Sequence, residues 1–151
     1  MIQSDLKKIV EDLVQTFLEA GKISLDLRRK GLTKEIKSDN TPVSNGDLEV
    51  NKILIKKILS LTPNIPIVSE ETSENKSREN LENFWLIDPI DGTYDYINNL
   101  DEFTINAGLI IQKKPAAGLI YAPAKNRMFY SYGDDLSFEL ISGKPNKLDN
   151  S

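Results

Sequence analysis

The feature that most restricts the fold of this chain is a change of hydrophobic period near residue 61. Before it, apolar residues recur at spacings of three and four; after it, they come as short runs between turn residues. Leu6, Ile9, Val10, Leu13, Phe17, Leu18 and Ala20 trace one stripe, which predicts an amphipathic helix over residues 4–30. Ser4 is its expected N-cap, and Gly31, following Arg28, Arg29 and Lys30, its expected stop. A second helix is predicted over 44–61, with Leu48, Ile53, Leu54, Ile58 and Leu61 facing inward. Ser44 is placed to cap it, with Asp47 in its first turn. Between the two, residues 33–37 read as a short strand leading to the polar turn Ser38-Asp39-Asn40.

Beyond Pro63 and Pro66, Ile67-Val68 reads as a short strand running into Ser69-Glu70-Glu71. Residues 73–82 are polar without period and predict a surface loop. Phe84–Ile87 is a continuous apolar run, expected to be a strand buried on both faces and ending at Asp88-Pro89. A short helix is predicted over 91–99, then strands over 103–112, 117–122, 127–132 and 136–141. Turns at Lys113-Lys114-Pro115, at 123–126 and at Gly133-Asp134 make these an antiparallel meander, and the final GKPNKLDNS reads as polar coil. The predicted class is α+β: a layered sandwich of two long helices on a mostly antiparallel sheet, one domain over 1–151.

Composition removes several kinds of chemistry. With no Cys there is no disulfide, thiolate nucleophile or cysteine metal site; with no His there is no imidazole base or ligand. Hydrolysis would have to run on carboxylates, hydroxyls, lysines or a hard cation such as Mg2+, which takes oxygen ligands. A net charge of −4 offers no basic footprint for nucleic acid. No apolar run approaches the roughly 18 residues of a membrane span, and the first residues, MIQSDLKKIVEDL, are unlike a signal peptide, so a cytoplasmic location is expected.

The densest group of reactive residues is WLIDPIDGT, residues 85–93. Asp88 and Asp91 would lie either side of a tight turn, close enough to share cations, with the Ile90 carbonyl as a third oxygen ligand. Gly92 would permit close backbone approach, and Thr93 would begin a helix whose free N–H groups can receive a phosphate. A lone D-P-x-D would read as no more than a strand end and a cap; the full D-P-I-D-G-T behind an apolar strand points to metal-assisted phosphoryl transfer. Glu70 could bind metal and, with the Thr93 hydroxyl, orient a water. Asp47 could hold that hydroxyl, and Lys37 could approach phosphate.

Taken together, D-P-I-D-G-T, the upstream E-E and the S/T-x-x-D resemble the inositol monophosphatase superfamily over nearly the whole chain. KSDNTPV, PIVSEE, EFTIN and GLIYAP are most similar to its bacterial 3'(2'),5'-bisphosphate nucleotidase branch. The resemblance implies the first domain of an αβαβα fold and hydrolysis of the 3'-phosphate of 3'-phosphoadenosine 5'-phosphate by metal-activated water. It implies two or three Mg2+ ions, with Glu70, Asp88, the Ile90 carbonyl and Asp91 as ligands. Thr93 and Glu70 would activate water with Asp47 behind them, while Gly92, Thr93 and Asp91 would meet the substrate. The expected partner is a small phosphomonoester, a nucleotide bisphosphate; inositol 1-phosphate or another sugar phosphate is the alternative, and a non-catalytic remnant a further one. Ser44 and Gly46 stand where the family usually has Thr and Ala, and Tyr94-Asp95 where the branch commonly has Lys and an acidic residue. The family's W-D-x-A-A segment, source of a further metal ligand, is not among these residues. A second domain is therefore expected to be missing from this chain, leaving it a fragment or a truncated product and leaving an apolar face that favours homo-oligomers.

Overall fold

A computed structural model of the chain describes residues 2–71 and 80–149. Its first element, α1, spans Gln3–Lys30. The helix begins earlier than Ser4 would allow as a cap, because the Ile2 carbonyl already accepts from the N–H groups of Asp5 and Leu6. Ile2 therefore occupies the N-cap without any side-chain bond, and Asp5 places a negative charge in the first turn, where the helix dipole favours it. Gly31 ends the helix at φ 99°, in the region open to glycine.

A small hairpin of β1 (Lys34–Ile36) and β2 (Pro42–Ser44) leads into α2 (Asn45–Leu61). Ser44 caps α2 through a reciprocal capping box with Asp47. The inward stripe runs through Asp47, Val50, Asn51, Leu54 and Ile58. Leu48, expected inside, is exposed, because it sits one residue off that stripe and about 100° around the helix.

Beyond α2 the described residues form a seven-stranded sheet in sequence order: β3 (Ile67–Ser69), β4 (Phe84–Asp91), β5 (Thr104–Ile111), β6 (Lys114–Ala122), β7 (Arg127–Ser131), β8 (Ser137–Ile141) and β9 (Lys144–Lys147). Only β3 and β4 are parallel; every later pair is antiparallel. Of the predicted loop over 73–82, residues 73–79 lie outside the described residues. Three details differ from the sequence reading. The β5–β6 turn is Gln112-Lys113, both at positive φ, so Lys114 and Pro115 belong to β6. β4 continues through Pro89 to Asp91. The expected polar coil contains β9, reached through a two-residue turn at Ser142-Gly143.

Helices α1 and α2 cover one face of the sheet. There Val10, Leu13, Phe17, Leu54 and Ile58 pack on Trp85, Ile87, Ile105, Leu109 and Leu119 in a single core. The Trp85 indole N–H, fully buried, donates to Thr62 Oγ1 at 3.0 Å, where α2 ends. β4 is not buried equally on both sides: Trp85 and Ile87 have no exposure, whereas Leu86 faces the other way and is partly open. On that opposite face Leu86, Gly108, Ile120 and Phe129 line a groove of about 720 Å³ that ends at Glu70 and Asp88. Among the described residues, no helix is long and apolar enough to cross a membrane.

Candidate active site

The acidic residues of D-P-I-D-G-T owe their arrangement to an irregularity in β4. Asp88 pairs with Asn106 and Asp91 with Thr104, so three steps along β4 match two along β5. In a regular strand, residues three apart point to opposite faces. The extra residue at Pro89-Ile90 restores the phase, so that Asp88 and Asp91 emerge on the side shared by Asn106 and Thr104. Those two side chains do share a face, since Asn106 Nδ2 donates to Thr104 Oγ1 at 3.0 Å. A bulge, rather than the expected tight turn, brings the carboxylates together. Gly92 follows at φ 90°, and a Cβ there would meet the Glu102 carbonyl at 2.8 Å, so only glycine fits.

Thr93 opens the short helix α3 (Thr93–Ile97). Its hydroxyl donates to Asp47 Oδ1 at 2.7 Å, and the Ile90 carbonyl lies 3.1 Å away as a second acceptor. Asp47 is fully buried, and its other oxygen, Oδ2, accepts from the Ser44 N–H at 3.0 Å and the Ser44 hydroxyl at 2.5 Å. A hydroxyl has one proton to give. With that proton on Asp47, the lone pairs of Thr93 Oγ1 are left to accept from an incoming water.

At the end of β3, the Glu70 N–H donates to the Ile87 carbonyl at 3.2 Å, and the Glu70 side chain is exposed. Glu71 is the more enclosed of the pair: its side chain retains 4% exposure and meets Lys37 Nζ at 3.4 Å. Lys37, expected to approach phosphate, is thus engaged by Glu71. Burial pushes the Glu71 carboxyl above its ordinary value; the Lys37 ammonium opposes the shift, while Asp47 and Glu70 add to it. The Asp88 carboxyl is pushed up to about 6, first by burial, then by the charges of Asp91, Glu70, Glu71 and Asp47. Five carboxylates therefore act on one another around the ends of β3 and β4.

This excess of negative charge, offset only in part by Lys37, fits a hard divalent cation with oxygen ligands. Among the described residues no three acidic side chains are gathered closely enough to hold an ion by themselves. Mg2+ takes one or two carboxylates and keeps several waters, so Asp88, Asp91, Glu70 and the Ile90 carbonyl remain a suitable partial set. Sequence reasoning missed the Asn51–Ser69 bond, in which the Ser69 hydroxyl donates to Asn51 Oδ1 at 2.5 Å. The available signal was the i, i+4 spacing of Asp47 and Asn51 on one helix face.

Fold and site together define an α+β layered protein with an acidic cluster and a carboxylate-bound threonine hydroxyl at one end of its sheet. The chain belongs to the inositol monophosphatase family, whose model matches residues 5–139. It is 37% identical over 132 residues to the 3'(2'),5'-bisphosphate nucleotidase CysQ of Haemophilus influenzae, covering 86% of this chain and 49% of that one. The corresponding CysQ of Buchnera aphidicola is 33% identical over 145 residues, covering 94% and 55%. Among solved structures, the extragenic suppressor protein suhB of Bartonella henselae matches with a TM-score of 0.76 at 25% identity, covering 87% of this chain and 51% of that one. A LiCl-soaked staphylococcal inositol monophosphatase matches with a TM-score of 0.77 at 17% identity, covering 92% and 52%, a likeness of fold. The chain spans about half the length of these relatives.

Proposed function

We propose that this chain is the metal-binding domain of a Mg2+-dependent phosphomonoesterase that removes the 3'-phosphate of 3'-phosphoadenosine 5'-phosphate. The observation that carries the reading is the Thr93 hydroxyl, tied at 2.7 Å to a fully buried Asp47 beside the paired Asp88 and Asp91. That hydroxyl donates to Asp47 and is left to accept, so it and Glu70 would orient a water toward phosphorus, with the Asp47 carboxylate taking up the proton that Thr93 passes on as the water gives up its own. Gly92, Thr93 and Asp91 would face the phosphoryl group. When bound, Mg2+ held by Glu70, Asp88, Asp91 and the Ile90 carbonyl would neutralise charge on the transferring group. The name shared by the CysQ relatives supports a nucleotide bisphosphate as substrate. A sugar phosphate is the second reading, favoured by Tyr94: it stands 70% exposed beside the site, where the nucleotidase branch commonly has lysine.

The test is Mg2+-dependent release of phosphate, measured at the full length of the relatives, since the 151-residue chain alone is expected to turn over slowly. Thr93→Ala is expected to lower kcat by about 10^2-fold, the usual scale for a positioned proton-transfer group. Near-normal turnover in that variant rejects the role given to Thr93. Equal kcat/KM on inositol 1-phosphate and 3'-phosphoadenosine 5'-phosphate would favour the second reading.

A further inference from the structure

Helix α2 carries two buried polar side chains one turn apart, Asp47 at 0% and Asn51 at 6% exposure. Each reaches the end of a different strand. Asp47 holds Thr93, just past β4, while Asn51 Oδ1 accepts from the hydroxyl of Ser69, the last residue of β3, at 2.5 Å. The Ser69 hydroxyl in turn accepts from the Glu71 N–H at 3.3 Å. Glu70 lies between these two residues, with its own N–H on the Ile87 carbonyl at 3.2 Å. The turn is thus pinned on one side to β4 and on the other, through Ser69, to α2.

Packing alone does not call for this pair. An apolar couple of the same shape would fill the space without burying polar groups that must then satisfy one another. The choice of an amide also has a physical reason. A neutral acceptor adds no charge beside Asp47, Glu70, Glu71, Asp88 and Asp91, which already repel one another.

We infer that Asn51, acting through Ser69, is a positioning residue for the Glu70-Glu71 turn, and that with Asp47 it makes α2 the spacer between the two acidic strand ends. The inference rests on the cation-binding reading above. Groups that orient metal ligands in this way typically change metal affinity by about 10–100-fold when removed.

The experiment titrates the 151-residue chain with Mn2+ as probe, reading free ion by electron paramagnetic resonance, and follows melting by circular dichroism. Ser69→Thr and Ser69→Val have nearly the same shape and differ in the hydroxyl. Ser69→Val is expected to bind Mn2+ about tenfold more weakly than Ser69→Thr. In an Asn51→Leu background the two should bind equally, at the weaker value. Asn51→Leu with Ser69 intact should show the same weakening, which preserves the test if neither larger side chain folds at position 69. Equal Mn2+ affinity in Ser69→Thr and Ser69→Val, with only the melting temperature changed, would assign the pair to folding alone and overturn the inference. A difference that persists undiminished in the Asn51→Leu background would overturn it too. If the unsubstituted chain binds no Mn2+, the cation-binding reading falls and the inference falls with it; if it binds and the variants match it, only the inference falls.

Discussion

At the scale of single residues, Gly46 shows packing deciding a position next to the site. A Cβ there would meet the Tyr96 hydroxyl at 2.1 Å and the ring at 2.6 Å. Tyr96 has little room to retreat: it is fully buried, its hydroxyl donates to the Ser24 carbonyl at 2.7 Å, and its ring lies 4.9 Å from that of Phe103. Gly46→Ala, which installs the residue usual in the family, is therefore expected to destabilise the chain by about 1–2 kcal/mol, overpacking outweighing the gain in helix propensity. Urea unfolding followed by circular dichroism measures it. Asp88 gives a prediction with the opposite sign. Its folded-state value of about 6 lies above the ordinary 3.8, so the folded chain holds that proton more tightly than the unfolded one. The group's penalty is absent below pH 4, grows as pH climbs toward 6, and is fully present above. Without divalent cations, Asp88→Asn should raise stability at pH 7 by about 1 kcal/mol, a figure reduced for the site's partial exposure, and by almost nothing at pH 4. A stability difference independent of pH would show that the charge is not the cause. The grouping of Asp88, Asp91 and Thr93 was legible in six consecutive residues, because both carboxylates and the hydroxyl come from one segment. Asn51 and Ser69 were not: the i, i+4 spacing of Asp47 and Asn51 marks only a shared helix face, and the meeting of Asn51 with Ser69 depends on how α2 lies across β3.

Among elements, both long helices were legible, since their stripes are wide and each meets a clear end. Even so, position along a stripe was less certain than its existence: one residue separates exposed Leu48 from buried Asp47. The sheet's irregular features were harder to foresee. A bulge such as that of β4 leaves no apolar signature; it is defined by the partner strand, through Asp88 with Asn106 and Asp91 with Thr104. β9 was invisible for a related reason, all four of its residues being exposed, so that no alternation is needed. The β5–β6 turn hid behind Pro115 because its two residues, Gln112 and Lys113, are not the Asn and Gly such turns prefer. Both nevertheless hold positive φ, pinned where the Gln112 N–H meets Asn83 Oδ1 at 2.8 Å and the Lys113 N–H meets the Glu82 carbonyl at 2.9 Å. Lys113→Gly relieves the left-handed strain while loosening the unfolded chain, for a net gain of about 0.5–1 kcal/mol. A rise in the melting temperature of about 2–4 °C is the expected reading.

For the whole molecule, the mutual repulsion of five carboxylates should couple folding to cations. A cation bound only by the folded state stabilises it by mass action, so the melting temperature should climb with MgCl2 above the dissociation constant. NaCl at matched ionic strength should not reproduce the rise, and in Asp88→Asn the response should shrink; an equal response to both salts would mean general screening instead. The same sheet that gathers these charges also has two rims. At one, β9 reads Lys-Pro-Asn-Lys: Pro145 has no N–H to offer, and the lysines line the border with like charge. At the other, β3 is three residues long. Among the described residues, neither border presents a long apolar strand along which a second chain could lengthen the sheet, so the cross-β route to fibrils finds little purchase there. An apolar contact would have the flat side to work with instead, where Ile120 is exposed and Phe129 half-buried.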